Sequence, residues 1–327
     1  MGVQLQQLRY FVAVADSRHF TQAAALTGVT QPSLSKQIHA LEDSVGTALF
    51  TRARGNVELT PAGEALLPRA RRILADVDTA RLEIDELVGV RRGRLRLGAT
   101  PSLCTSLVAP LLPRFRALHP AVQLTIQEDG SQDLVASLAR GQLDQAFIVV
   151  PDTGVDPALT AEPILREPLV VASSLELAEA LGGPLSGPLH GPLHGPLGGS
   201  GPVALARLRD EPMVMFRIGY DLREATLRAC HEAGFEPVLA VEGGEMDAVL
   251  GFVEAGVGVA LVPSMVVAAR PGLRVAPLAE GLRRTIALAH RRDVTPTHAA
   301  AAMRGVLEEY LREAVAWSSL PDGVEVV

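Results

Sequence analysis

FTQAAALTGVTQPSLSKQIHALEDSVGTALFTRAR, residues 20–54, decides how the rest of the chain reads. Ala23, Ala24, Leu26, Val29, Leu34, Ile38, Leu41 and Leu49 recur at spacings of three and four on either side of Gly28, as two short helices sharing one small core require. Gly28 is the turn between them. Thr21 is placed to cap the first helix, and Thr30-Gln31-Pro32 opens the second, because proline is tolerated where a helix amide has no partner. Two helices joined this tightly suggest a helix-turn-helix, although an ordinary helical hairpin with a solvated polar face has the same spacing. With Leu34, Ile38 and Leu41 facing inward, the second helix turns Gln31, Ser33, Lys36, Gln37 and His39 outward, donors and acceptors suited to base edges in a major groove. Lys36 is the only lysine in the chain. Arg52 and Arg54 flank a hairpin closing near Gly55-Asn56, where two cations on a projecting loop suit phosphate or the minor groove.

Between Leu8 and Thr60 the segments LRYFVAVA, FTQAAALTGVTQPSLSKQI, LEDSVGTALFTR and LTPAGEALL run without interruption. This run resembles the amino-terminal domain of LysR-type transcriptional regulators. The resemblance implies a winged helix-turn-helix over residues 1–60 that contacts double-stranded DNA through Thr21, Gln31, Pro32, Ser33, Ser35, Lys36, Gln37, Arg52 and Arg54.

The 327 residues allow two or three domains, and the formal net charge is −7. Residues 1–60 hold five Lys/Arg against four Asp/Glu, so one copy of the motif is a weak electrostatic binder and two or more copies must act together on a partly palindromic operator. The chain enters directly into an amphipathic pattern with Arg9 early in it, and no apolar run is long enough to span a bilayer. The expectation is a cytoplasmic protein with no membrane partner. Cys104 and Cys230 lie far apart in apolar helical settings without metal-type spacing, so both read as buried free thiols.

Thr60-Pro61 opens a long linker helix over 61–89, in which Leu66, Ala70, Ile73, Val77, Ala80, Ile84 and Leu87 alternate spacings of four and three. The stripe predicts an intermolecular seam in a homodimer or tetramer, in preference to a helix lying on its own domain. Residues 90–93 break the pattern as a hinge. From 94 onward short apolar runs alternate with helical stretches, which argues for parallel α/β architecture with crossover helices.

RGRLRLGAT, LARGQLDQAF and VEAGVGVALVPS continue the likeness to LysR-type regulators more loosely. They imply a two-lobed effector domain of the type 2 periplasmic-binding-protein kind over 94–317. Lobe I would take 94–165 and 269–317, and lobe II 166–268, with crossings near 165 and 268. The Gly-Pro-Leu run at 182–202 reads as a loop inserted in lobe II, and its His190 and His194 lack the helical setting that would make four-residue spacing a metal site. Residues 318–327 read as a loose tail.

Ligands in open α/β sheets bind beyond the carboxyl ends of strands, at helix starts. Thr100-Pro101-Ser102 and Gly130-Ser131 are two such junctions, and each is equally well read as simple capping when taken alone. Both coincide with positions at which LysR-type regulators hold their effector. Phe147, Arg217, Tyr220, Val262 and Pro263 complete the expected set. Arg217 neutralises a carboxylate if it points inward and is a surface arginine if it does not. The effector expected is a small anionic metabolite, with no cofactor, no metal and no catalytic residue, and RNA polymerase is carried as a further partner. Two lobes alone would also suit a solute-binding transport protein, which the amino-terminal motif opposes. No GxSxG, phosphate-loop or HExxH pattern supports an enzyme. Some LysR-type regulators sense peroxide through a disulfide between two cysteines close in sequence in lobe II, whereas here Cys230 stands there without a nearby partner.

Overall fold

The computed structural model describes residues 2–53, 56–87, 93–151, 154–174, 202–268 and 270–327, apart from the side chains of 52, 53, 56, 82, 83 and 85–87. The expected loop at 182–202 lies outside them except for Pro202, as do the expected hinge except for Gly93, Arg54, and the side chains of Arg52 and Leu87. Two compact units emerge: Met1–Gly93 with Ala136–Leu143, and Arg94–Val135 with Asp144–Val327.

In the first unit α1 (Leu5–Ser17), α2 (Phe20–Leu26) and α3 (Gln31–Val45) enclose Leu8, Phe11, Val14, Ala23, Ala24, Leu34, Ile38 and Leu41. Phe50 meets Phe11 at 5.3 Å and Phe20 at 5.9 Å between ring centroids, which ties the hairpin β1 (Phe50–Ala53) and β2 (Asn56–Leu59) to the helices. Thr30 starts α3 as expected. Thr21 does not start α2: the His19 ring accepts from the Gln22 amide, and Thr21 sits inside the first turn, exposed.

α4 (Pro61–Leu87) follows, with Thr60 Oγ1 accepting from the Gly63 amide at 3.1 Å and donating to the Ala48 carbonyl at 2.8 Å. Gly63 is required by approach rather than by turn geometry, since a Cβ there would stand 2.2 Å from the Leu49 carbonyl oxygen. The expected seam is corrected at its start. Ala70 is fully buried in the first unit's own core, and Leu66 packs half-buried against it together with Leu67 and Leu74. Ile73 and Ile84 remain 43% and 59% exposed, Val77 is half-buried and Ala80 is exposed, so the free part of the stripe begins one turn later.

The second unit is built on β6 (Leu159–Ser174), a single strand of 16 residues shared by both lobes. In lobe I the strand order is β4 (Gln123–Glu128), β3 (Arg94–Ala99), β5 (Gln145–Val149), β11 (Arg283–Arg291), β6. Only β3–β4 and β3–β5 are parallel; β11 runs antiparallel to both β5 and β6. The sheet is therefore mixed rather than parallel, because the returning chain re-enters lobe I as a strand instead of a helix. In lobe II, β9 (Ala260–Pro263) and β10 (Leu273–Pro277) pair antiparallel with the second half of β6, while β7 (Pro212–Phe216) and β8 (Val238–Gly244) pair in parallel. An isolated parallel bridge links Met213 of β7 to Val259, the residue just before β9. The approach there is so close that a Cβ on Gly258 would lie 2.2 Å from the Pro212 carbonyl oxygen.

The first crossing is on β6 at Leu165–Leu169. The second falls between Pro277, still paired with Val170, and Arg283, already paired with Pro168; it lies past the expected 268 because β10 belongs to lobe II. Lobe I packs Leu95, Leu97, Leu111, Phe115, Phe147 and Ile286 under α6 (Ala109–Leu118) and α11 (His298–Ala316). Lobe II packs Met213, Phe216, Val249, Val253 and Val262 around α8 (Asp221–Glu232), α9 (Met246–Glu254) and the short α10 (Ser264–Val267).

The tail is not loose. β12 (Glu325–Val326) pairs with Arg166 and Leu165, the Val327 amide donates to the Ile164 carbonyl at 3.1 Å, and Glu325 meets Arg283 at 2.7 Å. An edge of β6 that would otherwise expose unpaired amides is thereby covered.

Candidate functional site

α3 presents the expected polar face. Gln31, Pro32, Ser33 and Lys36 are exposed, Ser35 and Gln37 are half-buried, and Leu34, Ile38 and Leu41 point into the core. Gln37 is partly committed inward, its Oε1 accepting from the Gln7 side chain at 3.4 Å. Sequence reasoning missed Glu42. Its Oε1 accepts from the Leu49 amide at 2.8 Å and the Phe50 amide at 3.3 Å, and its Oε2 meets the His39 ring at 3.2 Å. One carboxylate thus fixes where the hairpin leaves α3, which sets the angle between them.

In the second unit the strand ends at the lobe junction gather hydroxyls. α5 (Pro101–Leu103) begins after Thr100, passes through one π-helical turn at Cys104–Val108 and continues as α6. Thr100 and Ser102 are buried, with their hydroxyls 3.3 Å apart. Ser102 Oγ accepts from Arg284 Nη1 at 2.9 Å, and Arg284 binds Glu167 Oε1 through Nε at 2.8 Å and Nη2 at 2.5 Å. Pro101 is buried beside them. Ser131, at the first position of α7 (Ser131–Ala139), accepts from the Val149 amide at 3.1 Å and donates to Asp221 Oδ2 at 2.5 Å.

Tyr220, 3% exposed, stacks on Phe216 at 5.0 Å. Its hydroxyl lies beside Ser102 and Arg284 yet makes no hydrogen bond of ordinary geometry among the described residues, and burial pushes its pKa up to about 12. Ser264 Oγ, just past Pro263, is likewise buried without a partner among the described residues. Arg217 does not stand ready for a ligand carboxylate. Its Nε donates to Glu245 Oε1 at 2.7 Å, and that bond raises its pKa further. Phe147 and Val262 also differ from expectation: both are fully buried within the cores of lobes I and II, because inward positions on central strands face helices rather than the junction. Thr100, Ser102, Ser131 and Tyr220 are brought to the lobe junction; Arg284, Glu167 and Asp221 were missed there. A charged residue at an inward strand position, as in LRRTIALAH, was the available signal for Arg284.

Both thiols are held neutral. Burial, reinforced by Glu128, pushes Cys104 up to about 12, and burial with a smaller effect of Glu236 pushes Cys230 up to about 11. Neither is in a disulfide. Among the described residues no group of three or more His, Cys, Asp or Glu could hold a metal ion, and no helix is long and apolar enough to cross a membrane.

Residues 5–64 match the family model described as a bacterial regulatory helix-turn-helix protein of the lysR family, and residues 89–312 match the LysR substrate binding domain. BudR from Raoultella terrigena is 35% identical over 298 residues, covering 89% of this chain and 95% of its own. A Streptomyces viridosporus protein described as a probable hydrogen peroxide-inducible genes activator is 33% identical, over 79% of this chain and 77% of its own. Among solved structures, a full-length OxyR variant from Pseudomonas aeruginosa aligns with a TM-score of 0.67 at 26% identity, over 93% of this chain and 97% of that one. CbnR complexed with its target DNA shares the fold at a TM-score of 0.65 and 24% identity, over 95% of this chain and 100% of that one. With a DNA-reading helix, a long connecting helix and a two-lobed effector domain in one chain, the protein belongs to the LysR family and is a DNA-binding transcriptional regulator.

Proposed function

We propose that this regulator responds to a small carboxylate-bearing metabolite held at the lobe junction, acting in the cytoplasm as a dimer or tetramer on a partly palindromic operator. The observation that carries the reading is the gathering of Thr100, Ser102, Ser131 and Tyr220 where the lobes meet, with Ser131 already accommodating a carboxylate. An effector acts by binding one lobe arrangement better than the other, and α4 conveys the difference to the paired reading helices. Among the described residues the junction offers hydroxyls and carboxylates that are already engaged, Glu167 by Arg284 and Asp221 by Ser131, an arrangement suited to recognition.

Titrating the purified protein against the DNA upstream of its own gene tests the reading. A sequence-preferring complex that weakens steeply with salt is expected, and Lys36→Ala should lower the salt slope by about one unit. A complex indifferent to salt or to sequence overturns it. Relatives named as peroxide-inducible activators raise a second reading, in which a thiol is the sensor. Thiols raised to about 12 and 11 favour the metabolite over the oxidant.

A further inference from the structure

The Ser131 hydroxyl has both of its roles filled. It accepts from the Val149 amide behind it and gives its proton to Asp221 in front. Ser131 belongs to lobe I, whereas Asp221 opens α8 in lobe II, 90 residues further along the chain. The backbones meet at the same place: a Cβ on Gly130 would come within 3.4 Å of the Gly219 carbonyl oxygen. A hydroxyl fixed by a main-chain amide at a helix start is the arrangement a ligand carboxylate would use. Here the chain supplies the carboxylate itself.

We propose that Asp221 is a tethered occupant of the effector's carboxylate position, holding the lobes together across Ser131 until an effector acid displaces it. The inference rests on the metabolite-responsive reading above and adds the competing group. An intramolecular carboxylate competes at an effective concentration in the millimolar range or above, so a bare monocarboxylate loses to it. An effector wins by adding contacts, and the buried Tyr220 hydroxyl beside Ser102 and Arg284 is one donor available for them. Displacement then shifts the lobe equilibrium by the difference between the two occupants.

Acetate is the probe, compared with chloride at equal ionic strength. It should raise the melting temperature of Asp221→Ala by about 2–4 °C by filling the vacated position, and leave wild type and Asp221→Ala/Ser131→Ala unchanged. On upstream DNA, Asp221→Ala should give a footprint different from wild type, and acetate, which has no tether to lobe II, should leave that altered pattern in place. Equal acetate shifts in all three proteins, or an unchanged footprint, overturn the proposal. Should Asp221→Ala fail to fold, Asp221→Asn keeps the shape without the charge; it should alter the footprint with or without acetate, and a wild-type footprint overturns the idea. If no protein forms a salt-sensitive complex, the regulatory reading fails, while the melting series still decides whether Ser131 takes a carboxylate.

Discussion

The Glu167 carboxylate and the Arg284 guanidinium, 0% and 6% exposed at the side chain, bind each other at the point where β6 and β11 pass between lobes. Glu167 Oε2 also accepts from the Met265 amide at 3.2 Å, so lobe II is tied to the same pair. Arg284→Met leaves a buried carboxylate uncompensated. It should cost about 3–5 kcal/mol in urea unfolding, and Glu167→Gln combined with Arg284→Met should cost less than Arg284→Met alone.

Gly63 and Gly305 both lie in helices but in opposite surroundings. Gly63→Ala drives a methyl into the Leu49 carbonyl and should destabilise the first unit by about 1–3 kcal/mol. Gly305, in α11, has open space where a Cβ would stand, so Gly305→Ala should stabilise by about 0.5–1 kcal/mol. Calorimetry of the two variants should show shifts of opposite sign.

The exposed part of the α4 stripe should govern self-association. Ile73→Asp with Ile84→Asp is expected to raise the dimer dissociation constant at least roughly tenfold in sedimentation equilibrium, with the helical signal of the first unit unchanged. Ala70→Asp should instead unfold the first unit, because that side chain lies in its core.

The two thiols should resist alkylation by iodoacetamide at neutral pH and become labelled once urea exposes them. Their folded values of about 12 and 11 lie above the ordinary value of 9.0, so the folded chain keeps these protons when the unfolded chain has lost them. Their contribution to stability is complete below about pH 9 and is lost as pH rises through about 11 and 12. Rapid labelling of native protein at neutral pH would contradict this.

Periodicity makes α3 and its outward face legible, since one buried stripe of Leu34, Ile38 and Leu41 leaves only one arrangement of the rest. It does not place the cap of α2, because a histidine ring takes the role that side-chain preference assigns to Thr21. The apolar character of the α4 stripe is plain in the sequence, but spacing does not say whether a partner or the same chain covers it, and Ala70 lies against its own unit while Ile73 and Ile84 do not. The junction is half legible. Helix-start hydroxyls at Thr100, Ser102 and Ser131 can be seen, whereas Asp221, Glu167 and Arg284 depend on pairings between residues 90 and 117 positions apart, which local pattern does not encode. The strand in the tail escapes such a reading because two residues carry no periodicity of their own.

β6 also dictates an order of assembly during synthesis. The first unit's three helices, hairpin and early α4 turns all lie within residues 5–74, so their core closes while most of the chain is still to be made. β6 then emerges with both edges bare and waits through about a hundred further residues before β9, β10 and β11 reach it, and longer for β12. A nascent chain interrupted before residue 283 would carry a finished DNA-reading unit attached to lobes lacking their shared seam, a species able to occupy an operator but deaf to any signal.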